Sequence, residues 1–398
     1  MQQNFDEIQF LVGTKEILEE IISVPSKEVF DKQILSFLGE LSKMLLEDKD
    51  AKEYPDVISY AFWIRNSSTK RIAEQYDDAG RRLGRGISFH ITPSNIPVQF
   101  AVSMTYGLLS GNVCVIRLSD KEFEQVNIIC NCIRRLLNDK YKELSNYIVL
   151  MRYGYNEDIT AFFSSICDAR IIWGGNETIR KIRQYPIPLR AIELDFADRY
   201  SIAVISSDEY LKMNKKVIAK DFYLDTYWVD QNACSSPRLI VWTGNEIDKA
   251  KDEFWKFLHD EVEKQYAFEA IYGSDKFLNF TKIAMDVDDI KLKRVFNDNY
   301  IYRIEVPNIT STVMEYKGSV GYFIECNVQK LEEMIPLFTK ECQTVLCCGI
   351  APESIRDLVC KYGVRGVDRI VPVGHALEFS VYWDGFDMIR ELSRLVYI

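Results

Sequence analysis

The stretch ISFHITPSNIPVQFAVSMTYGLLSGNVCVIRLSD, Ile87–Asp120, decides the fold. From Ile87 to Ile116 it carries no charge unless His90 is protonated. That length reaches what a membrane-spanning helix needs. Pro93, Pro97, Gly107 and Gly111 interrupt it, however, with Thr92, Ser94 and Asn95 between. It therefore reads as a buried strand (Ile87–Ile91), a polar loop (Thr92–Pro97), a helix (Val98–Leu109) and a second strand (Val113–Leu118). Ser119 and Asp120 are expected to cap the helix that follows, which runs to about Leu137.

The same alternation continues downstream. YIVLMRY (Tyr147–Tyr153) reads as a third strand, with a short helix near Asp158–Ile166 after it. RIIWGG (Arg170–Gly175) is a fourth strand ending in two glycines, and NETIRKIRQY opens the next helix. Apolar strands alternating with helices predict a doubly wound α/β fold around a parallel sheet. Ligands in such folds sit at the C-terminal ends of the strands. Those ends carry Thr92–Pro97, Arg117–Asp120 and Gly174–Asn176.

Upstream, the first 75 or so residues read as helices. One is opened by a Ser26 cap and carries Phe30, Ile34, Leu35, Phe37, Leu38, Leu41 and Leu45 at helical spacing; another runs from about Asp56 to Gln75. Further strand–helix units around YSIAVI (Tyr200–Ile205), YIYRIEV (Tyr300–Val306) and CQTVLCCGI (Cys342–Ile350) call for a second α/β domain. We expect the N-terminal helices and first domain over 1–206, the second domain over 207–375 and a tail over 376–398.

The chain has 398 residues, 47% hydrophobic, with a net charge of −10 and its basic residues interleaved with acids. Nucleic-acid binding needs concentrated Lys and Arg, so no such partner is expected. MQQNFDEIQF lacks the basic start and apolar core of a signal peptide. The ten cysteines lack the paired spacing of a zinc site. We therefore expect reduced thiols, no metal, no membrane span and a cytoplasmic location.

Cys234 stands apart from the other cysteines. Cys114, Cys130, Cys132, Cys342, Cys347 and Cys348 lie in apolar strand or helix patterns and read as packing residues. Cys234 lies in WVDQNACSSPRL (Trp228–Leu239), among Gln231, Asn232, Ser235 and Ser236 and near Arg238. A nucleophilic thiol needs access and a stabilised thiolate, and this setting offers both; the alternative is a half-buried loop cysteine. A hydrolase pairing is poorly served by the three histidines. His90 lies in a core strand pattern, His259 on a charged helix read as surface, and His375 in a Gly-containing loop.

Taken in order, HITPSNIP, GLLSGNVCVIRLSD, IIWGGNETIRKI, LDFADRYSIAVI and DQNACSSPRLIVW resemble the aldehyde dehydrogenase superfamily over roughly residues 80–398. The tail GVRGVDRIVPVGHALEFSVYWDGFDMIRELSR is similar to its acyl-CoA reductase branch, the fatty-acid reductase component of bacterial bioluminescence systems. The resemblance implies an aldehyde dehydrogenase-like fold, with a dinucleotide-binding domain and a catalytic domain. It implies NADPH-dependent reduction of an acyl-CoA or acyl-protein thioester to an aldehyde, with NADH as the alternative cofactor. An NAD(P)-dependent aldehyde dehydrogenase and a non-redox cysteine acyltransferase are the rival readings.

By the same resemblance Cys234 is the nucleophile, and the Asn95 amide helps form the oxyanion hole. Arg117 stands for a ribose-contacting lysine, and Ser119 and Asp120 read the 2′ position of that ribose. Thr92 and Pro93 belong to the cofactor cleft; Gly174, Gly175 and Asn176 receive the pyrophosphate. Asp195 replaces the glutamate that activates water in hydrolytic members, a carboxylate one methylene shorter. The usual glutamate and phenylalanine at the nicotinamide ribose are missing near Leu337 and Thr339. An acyl-protein synthetase partner is implied, as is a homo-oligomer, most simply a dimer, with RLVYI lending a strand to a neighbour.

Overall fold

The computed structural model describes residues 5–294 and 298–398. It divides into two compact units, one formed by residues 1–197 and 379–398 and the other by 198–378.

In the first unit, β1 (Gln9–Val12) is followed by helices α1 (Lys15–Glu20), α2 (Lys32–Glu47), α3 (Pro55–Trp63) and α4 (Asn66–Ala73). The α2 helix starts later than Ser26. Lys27 and Glu28 are tied up elsewhere, Lys27 N–H on the Gly111 carbonyl and Glu28 in a bridge to Leu83. Phe30 then turns through the left-handed region at φ 58°, and the Asp31 carboxylate caps Gln33 N–H and Ile34 N–H at 2.9 and 3.2 Å. The expected helix over 56–75 is two helices, because Arg65 is extended between them.

Next come β2 (Arg82–Gly84), β3 (Ile87–Ile91), α5 (Gln99–Leu109), β4 (Val113–Arg117), α6 (Glu124–Asn138), β5 (Ile148–Arg152), α7 (Glu157–Ile166), β6 (Ala169–Trp173), α8 (Asn176–Ile182) and β7 (Ile192–Phe196). The sheet order is β1-β5-β4-β3-β6-β7, with only β1 antiparallel. The chain winds outward from β3 through β4 and β5, then back to β3's other side through β6 and β7. That reversal is a topological switch point. Every residue of α5 is buried, which explains the charge-free run from Ile87: both faces of a parallel sheet must be covered. Gly111 closes the α5–β4 turn at φ +81°, where an added Cβ would lie 2.1 Å from the Lys27 carbonyl oxygen. Ser119 and Asp120 do not cap α6, which begins at Glu124 after an extended Phe123.

The second unit opens with β8 (Tyr200–Ser206), α9 (Ser207–Tyr210), α10 (Lys215–Asp225), β9 (Pro237–Thr243), α11 (Ile247–Gln265), α12 (Ala270–Asp286), β10 (Lys291–Arg294) and β11 (Tyr302–Glu305). It ends with β12 (Tyr322–Val328), β13 (Cys342–Cys348), α13 (Pro352–Tyr362) and β14 (Arg369–Pro372). The sheet order is β10-β11-β12-β9-β8-β13-β14, with only β10 antiparallel. Because β8 pairs with β9 and β13, it belongs here, and the division falls before it rather than at 206/207.

Alternate residues of β8 and β9 feed two apolar clusters, Ile202, Val204, Leu239 and Val241 on one face and Ala203, Ile205, Ile240 and Trp242 on the other. Charged groups lie in this unit's interior as well, Asp225, Lys251, Lys276 and Glu325 among them. Glu325, 0% exposed, accepts hydrogen bonds from Trp242 Nε1 and Trp255 Nε1, each at 2.9 Å, and from Arg303 Nε at 2.7 Å.

The tail returns to the first unit as β15 (Tyr382–Trp383), β16 (Phe386–Asp387), α14 (Met388–Glu391) and β17 (Ser393–Leu395). Ser393–Leu395 pairs antiparallel with β2 of its own chain, where that edge is open, so this part of the expected exchange strand is used internally. Among the described residues, no helix is long and apolar enough to cross a membrane.

Replacing Glu325 with Ala strips two tryptophans and an arginine of their shared acceptor. Breaking a buried ion pair from one side costs about 3–5 kcal/mol. Hydrogen exchange should therefore show β9 and β12 losing protection by that amount, while β3 and β4 keep theirs.

Candidate active site

The loop carrying Cys234 is built by two successive left-handed residues, Asp230 (φ 51°) and Gln231 (φ 58°). Such backbone persists in non-glycine residues only when its surroundings hold it. Gln231, 0% exposed, supplies the hold. Its Nε2 donates to the carbonyls of Pro237 (2.9 Å) and Tyr322 (3.3 Å), its Oε1 accepts from Gly321 N–H (3.0 Å), and its own N–H reaches the Thr226 carbonyl (2.7 Å). Tyr266 hydroxyl donates to Asp230 Oδ1 at 2.5 Å. Gly321 sits at φ +81°, where a Cβ would meet the Tyr227 hydroxyl at 2.1 Å, so only glycine permits this approach.

Cys234 occupies a tight turn closed by Ser236 N–H on the Ala233 carbonyl at 3.1 Å, just before β9. It is half-buried, between the exposed Cys360 and eight buried thiols. Its carbonyl accepts from Ser201 Oγ at 2.7 Å, at the start of β8. Its sulfur receives Gln343 Nε2 at 3.1 Å, at the start of β13.

Two cations interact with the same sulfur. Burial pulls Arg238 down to about 10, with Cys234 opposing the shift, so the guanidinium stays charged at neutral pH. Arg238 also donates to the Gly318 carbonyl. Lys317 is pushed down by burial and then by Arg238, against the pull of Asp198 and Cys234. A half-buried sulfur bonded to an amide, with two cations acting on it, suits a reactive thiolate.

In the first unit, Thr92, Pro93 and Ser119 line one pocket together with Ile96, Lys121 and Arg152, at the C-terminal ends of β3, β4 and β5. Thr92 Oγ1 donates to the Arg117 carbonyl at 3.0 Å. The Arg117 side chain does not line this pocket. It donates to the Gly154 carbonyl and lies over the rings of Tyr153 and Tyr155, 5.0 and 5.8 Å from their centroids.

Arg152, which the sequence reading passed over, lines it instead. It is 6% exposed, its Nη2 reaches the Lys121 carbonyl at 3.5 Å, its Nη1 is 3.9 Å from the Glu122 carboxylate, and its buried Nε has no partner. Asp120 is exposed and outside the lining, as is Asn95 in the loop after β3. Gly174 follows β6, and Gly175 caps the α8 helix that Asn176 opens. Asp195, on β7, is pinned by Arg183 Nη2 at 2.7 Å, and Arg183 also holds Glu193 at 2.8 Å.

The histidines are all engaged. His90 is a core residue, bonded to Ser103 and Ser88 hydroxyls at 2.6 and 2.9 Å and driven by burial down to about 3, hence neutral. His259 is not on the surface: it is 4% exposed and lies 2.6 Å from the Asp298 carboxylate, because α11 turns that face inward. His375 pairs with Glu378 at 2.7 Å. Among the described residues no cluster of His, Cys, Asp and Glu could hold a metal.

The family model described as acyl-CoA reductase (LuxC) matches residues 21–397. The chain belongs to this acyl-CoA reductase family.

Its relatives include long-chain acyl-protein thioester reductase 2 of Photobacterium leiognathi, 26% identical over 83% of this chain and 67% of that one. The long-chain acyl-protein thioester reductase of Vibrio harveyi is 22% identical over 79% of this chain and 64% of that one. The chain thus spans about two thirds of the length of these relatives. Among solved structures, an NAD-dependent benzaldehyde dehydrogenase from Corynebacterium glutamicum matches at TM-score 0.65 and 10% identity, over 96% of this chain and 86% of that one. A lactaldehyde dehydrogenase matches at 0.64 and 12%, over 90% and 80%. The fold is therefore aldehyde dehydrogenase-like.

Burial pushes seven thiols, Cys114, Cys130, Cys167, Cys326, Cys342, Cys347 and Cys348, up to about 12, and Cys132 up to about 11. Brief iodoacetamide treatment of the folded protein at pH 7–9 should label Cys234 and Cys360 and spare these eight. Peptide mass spectrometry reads the outcome.

Proposed function

We propose that this chain reduces an acyl thioester, with a long-chain acyl-protein as donor, to an aldehyde through an acyl group held on Cys234. One observation carries the reading: the half-buried Cys234 sulfur receives the Gln343 amide at 3.1 Å, with the charges of Arg238 and Lys317 acting on it. The names of the relatives from Photobacterium and Vibrio supply the substrate class.

In the first half-reaction the sulfur attacks the thioester carbonyl. A new C–S bond forms, the bond to the donor sulfur breaks, and the donor departs as a thiolate that takes a proton from water. The Cys234 N–H is assigned as an oxyanion donor, and Asn95 keeps the oxyanion role that the resemblance implies; losing one such donor costs about 3 kcal/mol of barrier.

The chemistry of the first unit's pocket suits a dinucleotide phosphate: Lys121 and the buried, partly unpartnered Arg152 line it together with Thr92 and Ser119. Gly174, Gly175 and Asn176 are assigned to the pyrophosphate and Asp120 to the ribose edge. Arg117 is committed to Gly154 and its tyrosines, so Arg152 and Lys121 take over the role first given to it. Two cations favour a 2′-phosphate, hence NADPH over NADH. When bound, the reduced nicotinamide supplies the hydride that brings the acyl carbon to the aldehyde level. Rupture of the carbon–sulfur bond then frees the aldehyde and restores the Cys234 thiolate.

Asp195, which stands where hydrolytic members keep the water-activating glutamate, is engaged by Arg183. This suits a reductase, which loses its product if the acyl group is hydrolysed. The ten free thiols suit a reducing, cytoplasmic setting. An acyl-protein synthetase as donor and a homodimer complete the proposal.

Cys234→Ala should abolish both acyl transfer to the protein and aldehyde formation. Mass spectrometry of the Cys234 peptide after exposure to acyl thioesters tests the first, and normal NADPH oxidation by the variant would overturn the second. Arg152→Gln should weaken NADPH binding about tenfold to a hundredfold, the worth of one charge-assisted bond, and leave NADH binding nearly unchanged. Calorimetric titration with each cofactor compares them.

A further inference from the structure

We infer that Gln343 is a positioning residue for the Cys234 thiolate. The inference rests on the reading of Cys234 as nucleophile and goes one residue beyond it. Gln343 is 109 positions away in sequence and only 2% exposed. A buried primary amide has two donors and one acceptor to satisfy. Its Nε2 lies 3.1 Å from the Cys234 sulfur, and its Oε1 accepts from the Thr344 hydroxyl at 3.4 Å. The Thr344 hydroxyl thus sets the amide so that its NH2 end, not its oxygen, meets the sulfur. That distinction has chemical content. An N–H donor stabilises the thiolate, whereas a carbonyl acceptor would hold the neutral thiol.

The same strand ends fix the cysteine's backbone. Ser201 Oγ donates to the Cys234 carbonyl at 2.7 Å and accepts from Thr344 N–H at 3.2 Å. Cys234 is therefore gripped at its carbonyl from β8 and at its sulfur from β13, two paired strands. This grip keeps the thiolate from rotating as the acyl group arrives and departs. The charges that face Cys234 come from neighbouring elements, Arg238 on β9 and Lys317 ahead of β12, with Asp198 drawing on Lys317. Arg199, close by on the chain, is committed to Asp368 at 2.5 Å and to the Cys342 carbonyl at 2.8 Å. Gln343 is the neutral member of this set, and its contribution can be separated from theirs.

The test is the pH dependence of iodoacetamide alkylation at Cys234, read on its own peptide in the full-length protein. Replacing Gln343 with Leu keeps the bulk and removes the donor, so the midpoint should move up by about half to one pH unit. Gln343→Glu brings a negative charge to the sulfur and should move it further up. Cys342, the adjacent buried residue, serves as the folding gauge: it stays unlabelled while β13 is intact. If Gln343→Leu exposes Cys342, the glutamate variant and Gln343→Met, which also lacks the donor, decide. A midpoint that is unchanged, or that falls, in a variant with Cys342 still protected overturns the inference.

This measurement uses no acyl substrate. Failure of acyl transfer to Cys234 in the unaltered protein would therefore sink the catalytic reading and leave the alkylation result standing. A normal acyl transfer with an unmoved midpoint would sink only the role given to Gln343.

Discussion

Both units depend on one constraint: a parallel sheet must be buried on both faces. In the first unit this buries all of β3 and α5 and β4 as far as Ile116; in the second it packs separate clusters on the two faces of β8 and β9. Polar chemistry is then expelled from the faces to the ends of the strands, where backbone groups and loops meet water. The first unit uses the C-terminal ends, beyond β3, β4 and β5, as its winding order dictates. The second uses the opposite end. Ser201 is the second residue of β8 and Gln343 the second of β13, while Cys234 precedes β9 and Lys317 precedes β12. The general rule for open α/β sheets would have directed attention to the other edge, where Met213, Ile218, Cys347 and Cys348 line an apolar pocket.

This placement has a structural cost that the sequence shows only faintly. A loop entering β9 from its N-terminal side must turn sharply, and here it does so through Asp230 and Gln231 in left-handed backbone. Buried hydrogen bonds to Gln231 from three directions hold that turn. The polar letters of WVDQNACSSPRL thus have separate tasks. Gln231 is a structural fastener, whereas Cys234 is left half-open at the turn. A polar environment around a cysteine can therefore mark a built loop as much as a reactive thiol. What distinguishes the two is where the sulfur's own partners come from.

The alternation of apolar strands and helices was legible because burial on both faces writes itself into consecutive residues. The run from Ile87 to Arg117 gave strand, helix and strand within a residue or two. Caps were less legible. Asp31, not Ser26, caps the start of α2, because the chain before it is occupied by contacts with Gly111 and Leu83 that no local pattern displays. His259 was misjudged for a related reason. Its helix is charged overall, yet that position faces inward to Asp298. The unit boundary was set too late because β8 looks like a continuation of the first sheet until its partners, β9 and β13, are known.

In the candidate site, only residues that stand out by themselves could be read from the sequence. Cys234, Thr92, Pro93 and Ser119 could be picked out from their own loops. Arg152 and Gln343 could not. Arg152 ends a strand that reads as core, and Gln343 sits between Cys342 and Thr344 at the start of another. An isolated polar residue in an apolar strand has two physical excuses: it is satisfied by a neighbour within the core, as Glu325 is by two tryptophans and an arginine, or it serves a strand end. Position within the strand separates these cases. Glu325 lies inside β12, whereas Arg152 is the last residue of β5 and Gln343 the second of β13. A buried polar residue within one step of a strand terminus, on the end where the loops carry chemistry, is thus the signal that would have found both. It becomes readable only once the topology says which end that is.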